Sequence, residues 1–154
     1  MSNLDAFDRK ILKALQENGR LTNNELGERI GLSPSVCSRR RSSLENLGVI
    51  RRYTAELDPA KLGIGIKSII SVSLSNHDER NAERFKILLS GLPNVQEAYA
   101  LTGEMDYSIK VVCKDLDALS QFINSTLLPH EAVANVKTTI VLDTLKSTSE
   151  LPVS

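Results

Sequence analysis

Residues 22–41, TNNELGERIGLSPSVCSRRR, hold two helix starts, a glycine stop and three consecutive arginines. Thr22-Asn23-Asn24-Glu25 is a capping box: the threonine hydroxyl can accept from the amide three residues on, and the glutamate can reach back. Leu26 and Ile30 then share a face, and Gly31 ends a helix of about two turns. Leu32-Ser33-Pro34 restarts the chain at once, with Ser33 as N-cap and Pro34 in the first helical position. Cys37, Leu44 and Leu47 are expected to face inward, and Gly48 stops this helix before an extended Val49-Ile50. Two helices joined by so short a glycine-containing turn form a helix-turn-helix. In that motif the second helix enters the major groove and its N-terminal part meets base edges.

Working outward, Phe7, Ile11, Leu12 and Leu15 fall at helical spacing. Asp5 or Asp8 lies where a helix dipole favours an acid, and Asn18-Gly19 offers a stop. The helix that starts at Pro34 can be read by angle, since each residue advances about 100°. With Cys37 inward, Ser35, Ser38, Arg39 and Ser42 point outward together. Serines can bond phosphates or bases, and arginine can fork onto guanine. Arg40 is expected to snorkel to a phosphate. Arg41 falls close to the inward line, where an apolar side chain is expected, so Arg41→Val should keep the fold and gain stability.

The formal net charge is zero, but the halves disagree. Residues 1–55 hold ten Lys/Arg against six Asp/Glu, and residues 56–154 hold nine against thirteen. A basic module is joined to an acidic one, and counterion release on nucleic acid needs only a local basic face.

The second half reads as strands and helices in alternation. Arg51–Leu57 is a strand or an extended linker, broken by Asp58-Pro59. Ile70, Val72 and Leu74 alternate with Ser71 and Ser73, as in a half-buried strand. Ala82, Phe85 and Leu88/Leu89 have helical spacing. Val95–Leu101 and Tyr107–Cys113 are strands joined by Thr102-Gly103-Glu104-Met105-Asp106. Leu116, Leu119, Phe122, Ile123 and Leu127 mark another helix, and Ala132–Leu142 a last strand with Val136, Thr138 and Ile140 on one face. The order β-α-β-β-α-β is the ferredoxin-like arrangement. Two helices cover one sheet face. The other, expected to carry Ile and Val, invites a second copy.

Little points to catalysis. Cys37 and Cys113 match no metal or redox spacing, and a reduced cytosolic chain is the simplest reading. The two histidines, His77 and His130, have no partner nucleophile or ligand spacing. Phosphate-loop and dinucleotide fingerprints are absent. Glu104 and Asp106 read by themselves as a solvated turn. No signal peptide is evident at the start, and no apolar run approaches the roughly 18 residues of a membrane span.

Three stretches carry a resemblance. Leu4–Leu12 with Asn18-Gly19-Arg20 and Leu32-Ser33-Pro34, the turn Leu101–Tyr107, and the tail Lys146–Pro152 together resemble the Lrp/AsnC, or feast/famine, transcription regulators. The resemblance implies DNA binding by the N-terminal domain, dimerisation through the C-terminal sheet and assembly to octamers or larger rings. It also implies that an amino acid or similar small molecule binds between effector domains at Thr102, Gly103, Glu104, Met105 and Asp106. A turn amide beside Gly103 could hold its α-carboxylate, and Asp106 could meet its α-ammonium.

The expected fold is α+β: a winged helix-turn-helix domain over residues 1–50, an extended linker over 51–63, and a ferredoxin-like βαββαβ ligand-binding and oligomerisation domain over 64–154. The expected partner is double-stranded DNA, contacted by Thr22, Ser33, Ser35, Ser38, Arg39, Arg40 and Ser42. A cytoplasmic, ligand-responsive, sequence-specific regulator with no cofactor, metal or catalytic residue follows. The alternatives are an architectural DNA-wrapping protein and a haem-pathway decarboxylase of related fold. The latter would need histidines lining the effector-side pocket, and neither His77 nor His130 falls in the Gly103–Asp106 turn. Arg41 departs from the aliphatic residue usual in the family.

Overall fold

The computed structural model describes residues 4–76 and 78–153. It divides into two compact units, Met1–Glu56 with Lys146–Ser154, and Leu57–Leu145.

In the first unit, α1 (Ala6–Glu17) begins at a carboxylate capping box. Asp5 Oδ1 accepts from the amides of Phe7 and Asp8, each at 2.9 Å, and Asp8 Oδ2 accepts from the Asp5 amide at 3.2 Å. Helix α2 (Asn23–Ile30) has the expected box: Thr22 N–H donates to Glu25 Oε2 at 2.7 Å and Glu25 N–H to Thr22 Oγ1 at 3.3 Å. It ends at Gly31, whose φ of 76° suits glycine. Helix α3 (Pro34–Asn46) is capped by Ser33, which accepts from the Val36 amide at 3.4 Å.

The turn between α2 and α3 is tight enough to demand a glycine within α2. A Cβ at Gly27 would lie 2.5 Å from the Leu32 carbonyl oxygen. The core joins Ile11, Ala14 and Leu15 of α1 to Leu26 and Ile30 of α2 and Cys37 and Leu44 of α3. Two expected core members lie elsewhere. Phe7 is 37% exposed and Leu47 62% exposed. Helix α3 stops before Leu47, and Gly48, at φ 70°, turns the chain so that Val49 and Ile50 take the inward place. Both their amides donate to the Leu44 carbonyl, at 2.9 and 3.1 Å. Residues 51–57 form no strand.

The second unit is a four-stranded sheet with two helices. Its elements are β1 (Ile66–Leu74), α4 (Glu79–Ser90), β2 (Val95–Ala100), β3 (Tyr107–Cys113), α5 (Leu116–Phe122) and β4 (Val133–Ile140). The strand order is β2-β3-β1-β4, every pairing antiparallel. This is the expected βαββαβ topology. Phe85 of α4 and Leu119 and Phe122 of α5 pack on Ile70, Val72, Ile109 and Val111 of the sheet. Leu116 is 57% exposed instead of buried. Helix α5 continues as a π-turn over Ile123–Leu127, closed by Leu128 N–H on the Ile123 carbonyl at 2.9 Å. Its five-residue step brings both Phe122 and Leu127 into the core, where a regular helix would point Thr126 inward.

The expected Ile/Val-rich open face is a misreading. Val136, Thr138 and Ile140 pair with Val72, Ile70 and Ser68, so they lie on the face that the helices cover. The opposite face carries Lys67, Ile69, Ser71, Ser108, Lys110, Val112 and Lys137, mostly polar. On that face Lys110 Nζ meets Glu97 Oε1 at 2.7 Å, and Tyr99 Oη donates to Glu97 Oε2 at 2.6 Å. Both contacts hold the Glu97 carboxyl below its ordinary value, the lysine more strongly.

Candidate nucleic-acid interface and effector loop

Helix α3 sorts its three arginines by what they touch. Arg39 is exposed and makes no ion pair with any described residue. Ser35 and Ser42 are exposed beside it, and Ser38 is half-buried. Ser33 Oγ lies 3.2 Å from Ser35 Oγ at the helix start. Thr22, at the start of α2, is exposed, but its hydroxyl is engaged by capping and donates to Glu25 Oε2 at 2.7 Å.

Arg40 is held within the protein. Its Nη1 sits 2.7 Å from Asp5 Oδ2 and 2.8 Å from Asp8 Oδ1, and the guanidinium lies 5.7 Å from the Phe7 ring. The same two carboxylates that cap α1 thus tie it to α3. The Asp8 amide and then Arg40 hold the Asp5 carboxyl below its usual value. The guanidinium is held above its own value, first by Asp8 and then by Asp5.

The expectation for Arg41 is overturned. Its side chain leaves the apolar core and binds three elements: Nη1 donates to the Leu21 carbonyl at 3.0 Å, and Nε to Glu45 Oε1 at 3.2 Å and Tyr53 Oη at 2.9 Å. The guanidinium also stacks 4.7 Å from the Tyr53 ring centroid, and Tyr53 Oη donates to Glu45 at 2.8 Å. Burial, then the Glu45 contact, pushes the Tyr53 phenol up. A valine there would leave the Leu21 carbonyl and Glu45 without this donor. Leu21 and Tyr53 lie 20 and 12 residues away, so no local periodicity announces them; only Glu45 is a helical neighbour, at i,i+4.

The loop Thr102–Asp106 joins β2 to β3. It is closed by Leu101 N–H on the Asp106 carbonyl at 2.8 Å. Asp106 anchors it to β1: its amide donates to the Val72 carbonyl at 3.1 Å, and its Oδ2 accepts from the Leu74 amide at 2.7 Å. Thr102, Gly103 and Glu104 are exposed, while Met105 and Asp106 are half-buried. A Cβ at Gly103 would meet nothing within 4 Å, and its φ is not positive. The chain itself therefore does not require glycine there.

His77 lies outside the described residues. His130 Nδ1 accepts from the Ala132 amide at 3.3 Å. Among the described residues no group of three or more His, Cys, Asp or Glu could hold a metal ion. No described helix is long and apolar enough to cross a membrane.

Two family models match the chain, a winged helix-turn-helix DNA-binding domain over residues 4–51 and the Lrp/AsnC ligand binding domain over residues 67–151. The transcriptional regulator AzlB of Bacillus subtilis is 37% identical over 97% of this chain and 96% of its own. The leucine-responsive regulatory protein of Escherichia coli K12 is 34% identical over 96% and 90%. A transcriptional regulator of Neisseria meningitidis, NMB0573, solved with L-methionine, superposes with a TM-score of 0.94 at 43% identity, covering 97% of each chain. With a helix-turn-helix unit whose α3 presents an arginine outward, and a βαββαβ unit matched by the ligand-binding model, the chain belongs to the Lrp/AsnC family of transcriptional regulators.

Proposed function

We propose that this regulator reads a specific DNA site with α3 and adjusts its grip in response to an amino acid. The observation that carries the DNA reading is the contrast within the arginine triplet: Arg40 and Arg41 are held by protein groups, while Arg39 faces solvent beside Ser35, Ser38 and Ser42. Arg39 is assigned to base edges, the serines to bases or phosphates, and Thr22 and Ser33 to phosphates at the two helix starts. Arg40 and Arg41 position the reading helix, and phosphate contact by Arg40 would have to share a guanidinium already paired.

The effector is assigned to Thr102–Asp106. The relative solved with L-methionine supports an amino-acid ligand. Open space at Gly103 suits the approach of a carboxylate to backbone amides. Asp106 fixes the loop through the Leu74 amide, and an α-ammonium would add to that role. Because the loop is exposed in one copy, a complete pocket is assigned to adjoining effector domains in a dimer built on the open sheet face, assembling to octamers or larger. The polar character of that face predicts a salt-sensitive interface. A cytoplasmic place follows from a DNA-directed role.

The test is a thermal-shift screen of the twenty amino acids, followed by DNA binding over a salt series with Arg39→Ala beside the parent chain. Arg39→Ala should lose at least tenfold preference for the chosen site over random DNA, and L-methionine should raise the melting temperature. Equal preference in both chains sinks the assignment of Arg39. No site preference in the parent chain favours an architectural DNA-wrapping role.

A further inference from the structure

The end of the chain returns to the helical unit. Lys146–Ser154 group with Met1–Glu56 and not with the sheet that precedes them. The contact is a paired one. Gln16 Nε2 donates to the Leu151 carbonyl at 3.0 Å, and the Leu151 amide donates to Gln16 Oε1 at 2.6 Å. One side-chain amide thus satisfies both main-chain groups of one residue, as a neighbouring strand would. Such a contact reads extended backbone and is indifferent to the side chain, and that of Leu151 stays 70% exposed.

The surface around this pair is built, not incidental. Leu12, Leu15 and Gly19 from α1 and its stop, with Ile50 and Tyr53 from the segment after α3, line a groove shared with Pro152 and Val153. Tyr53 is itself fixed by Arg41, and its ring lies 3.3 Å from where a Cβ on Gly19 would be. Sheet-like recognition at the tail therefore rests on a floor that the reading helix helps to hold.

We propose that this groove is a docking surface for an extended peptide, that its occupant is the chain's own segment 146–153, and that the docked segment is a releasable strap linking the sheet unit's last strand to α1. The chain passes between the units twice, after Glu56 and after Leu145. The second passage gives the sheet unit a covalent path to the helical unit besides the one through residues 51–57. Two hydrogen bonds and a largely exposed leucine make a clasp weak enough to open in use. The trigger for opening rests on the amino-acid reading above; the existence of the strap does not.

Two measurements on the full chain separate these. Amide hydrogen exchange without DNA or ligand reads the strap: Gln16→Ala should speed exchange at Leu151 at least tenfold, with Gln16→Glu, which keeps the acceptor and loses the donor, in between. Unchanged exchange at Leu151 in a variant that still melts like the parent overturns the proposal. Protection at Leu151 that rises with protein concentration assigns the groove to a second copy's tail and overturns the intrachain occupant. DNA affinity with and without L-methionine reads the coupling: Gln16→Ala should lose at least half of the ligand-induced change while binding L-methionine as tightly as the parent. An undiminished ligand response in Gln16→Ala overturns the strap as a coupling device. A parent chain indifferent to L-methionine counts against the effector reading instead, and exchange then decides the strap alone.

Discussion

In the helical unit the buried side chains are Ile11, Ala14, Leu15, Leu21, Leu26, Ile30, Cys37 and Leu44, with no aromatic ring among them. The sheet unit buries Phe85 and Phe122 beside Ile70, Val72, Ile109, Val111 and Leu127, and sets Phe85 against Tyr107 with ring centroids 5.0 Å apart and the rings tilted by 50°. Burial by itself is non-directional, so a small aliphatic core does little to fix the angle at which helices meet. The helical unit compensates with directional polar clasps: Arg40 to Asp5 and Asp8, Arg41 to Leu21, Glu45 and Tyr53, and Gln16 to Leu151. In the sheet unit the ladder already supplies direction. Polar substitutions should therefore disturb the helical unit more, and core truncations the sheet unit more.

The largest test of that contrast is Phe85→Ala. Truncating a fully buried ring should cost about 3–5 kcal/mol. The loss should appear in the sheet unit first, read by hydrogen exchange resolved along the chain. Simultaneous loss of protection in α1–α3 would break the contrast. Gly27→Ala comes next, at about 1–3 kcal/mol, because the new methyl meets backbone and not a flexible side chain. Denaturant unfolding monitored on the helical unit checks it. Arg41→Met should cost about 1–2 kcal/mol after allowing for partial solvent screening, by thermal unfolding. A gain in stability would restore the sequence-based view of Arg41 as a misfit.

The smallest effect concerns acid. Asp5's carboxyl is depressed below its ordinary value of 3.8 in the folded chain. A depressed carboxylate contributes stability that is complete above the unfolded value and is lost as pH falls through the folded one. Arg40→Met removes one cause of the depression, so the acid-unfolding midpoint should move up. An unmoved midpoint would mean that the Asp8 and Phe7 amides set the shift without Arg40.

Features encoded within four residues of each other were legible in the sequence. The Thr22/Glu25 box, the Ser33-Pro34 start, the Gly31 stop and the βαββαβ order all stand in the structure. Residues whose partners are remote were not. Arg40 finds Asp8 across 32 residues and Gln16 finds Leu151 across 135. Strand alternation puts Val136, Thr138 and Ile140 on one face of β4, as the pairing has them, but does not say which face the helices cover. In α3 the angular arithmetic puts Ser35, Ser38, Arg39 and Ser42 outward; Ser35, Arg39 and Ser42 are exposed in the structure, and Ser38 is half-buried. The loop Thr102–Asp106 was legible as a turn, whereas the tie from Asp106 to the Leu74 amide depends on strand pairing.

The π-turn at Ile123–Leu127 has a consequence for how this chain can change in length. Phe122 and Leu127 are both buried at a separation of five residues. Deleting one residue from Ile123–Thr126 would restore the four-residue spacing of a regular helix and keep both side chains inward. Helix α5 therefore carries a site where the reading of the chain can lose one residue without losing phase. The same deletion within α3 would rotate Leu44 away from Cys37 and carry Ser42 off the outward face.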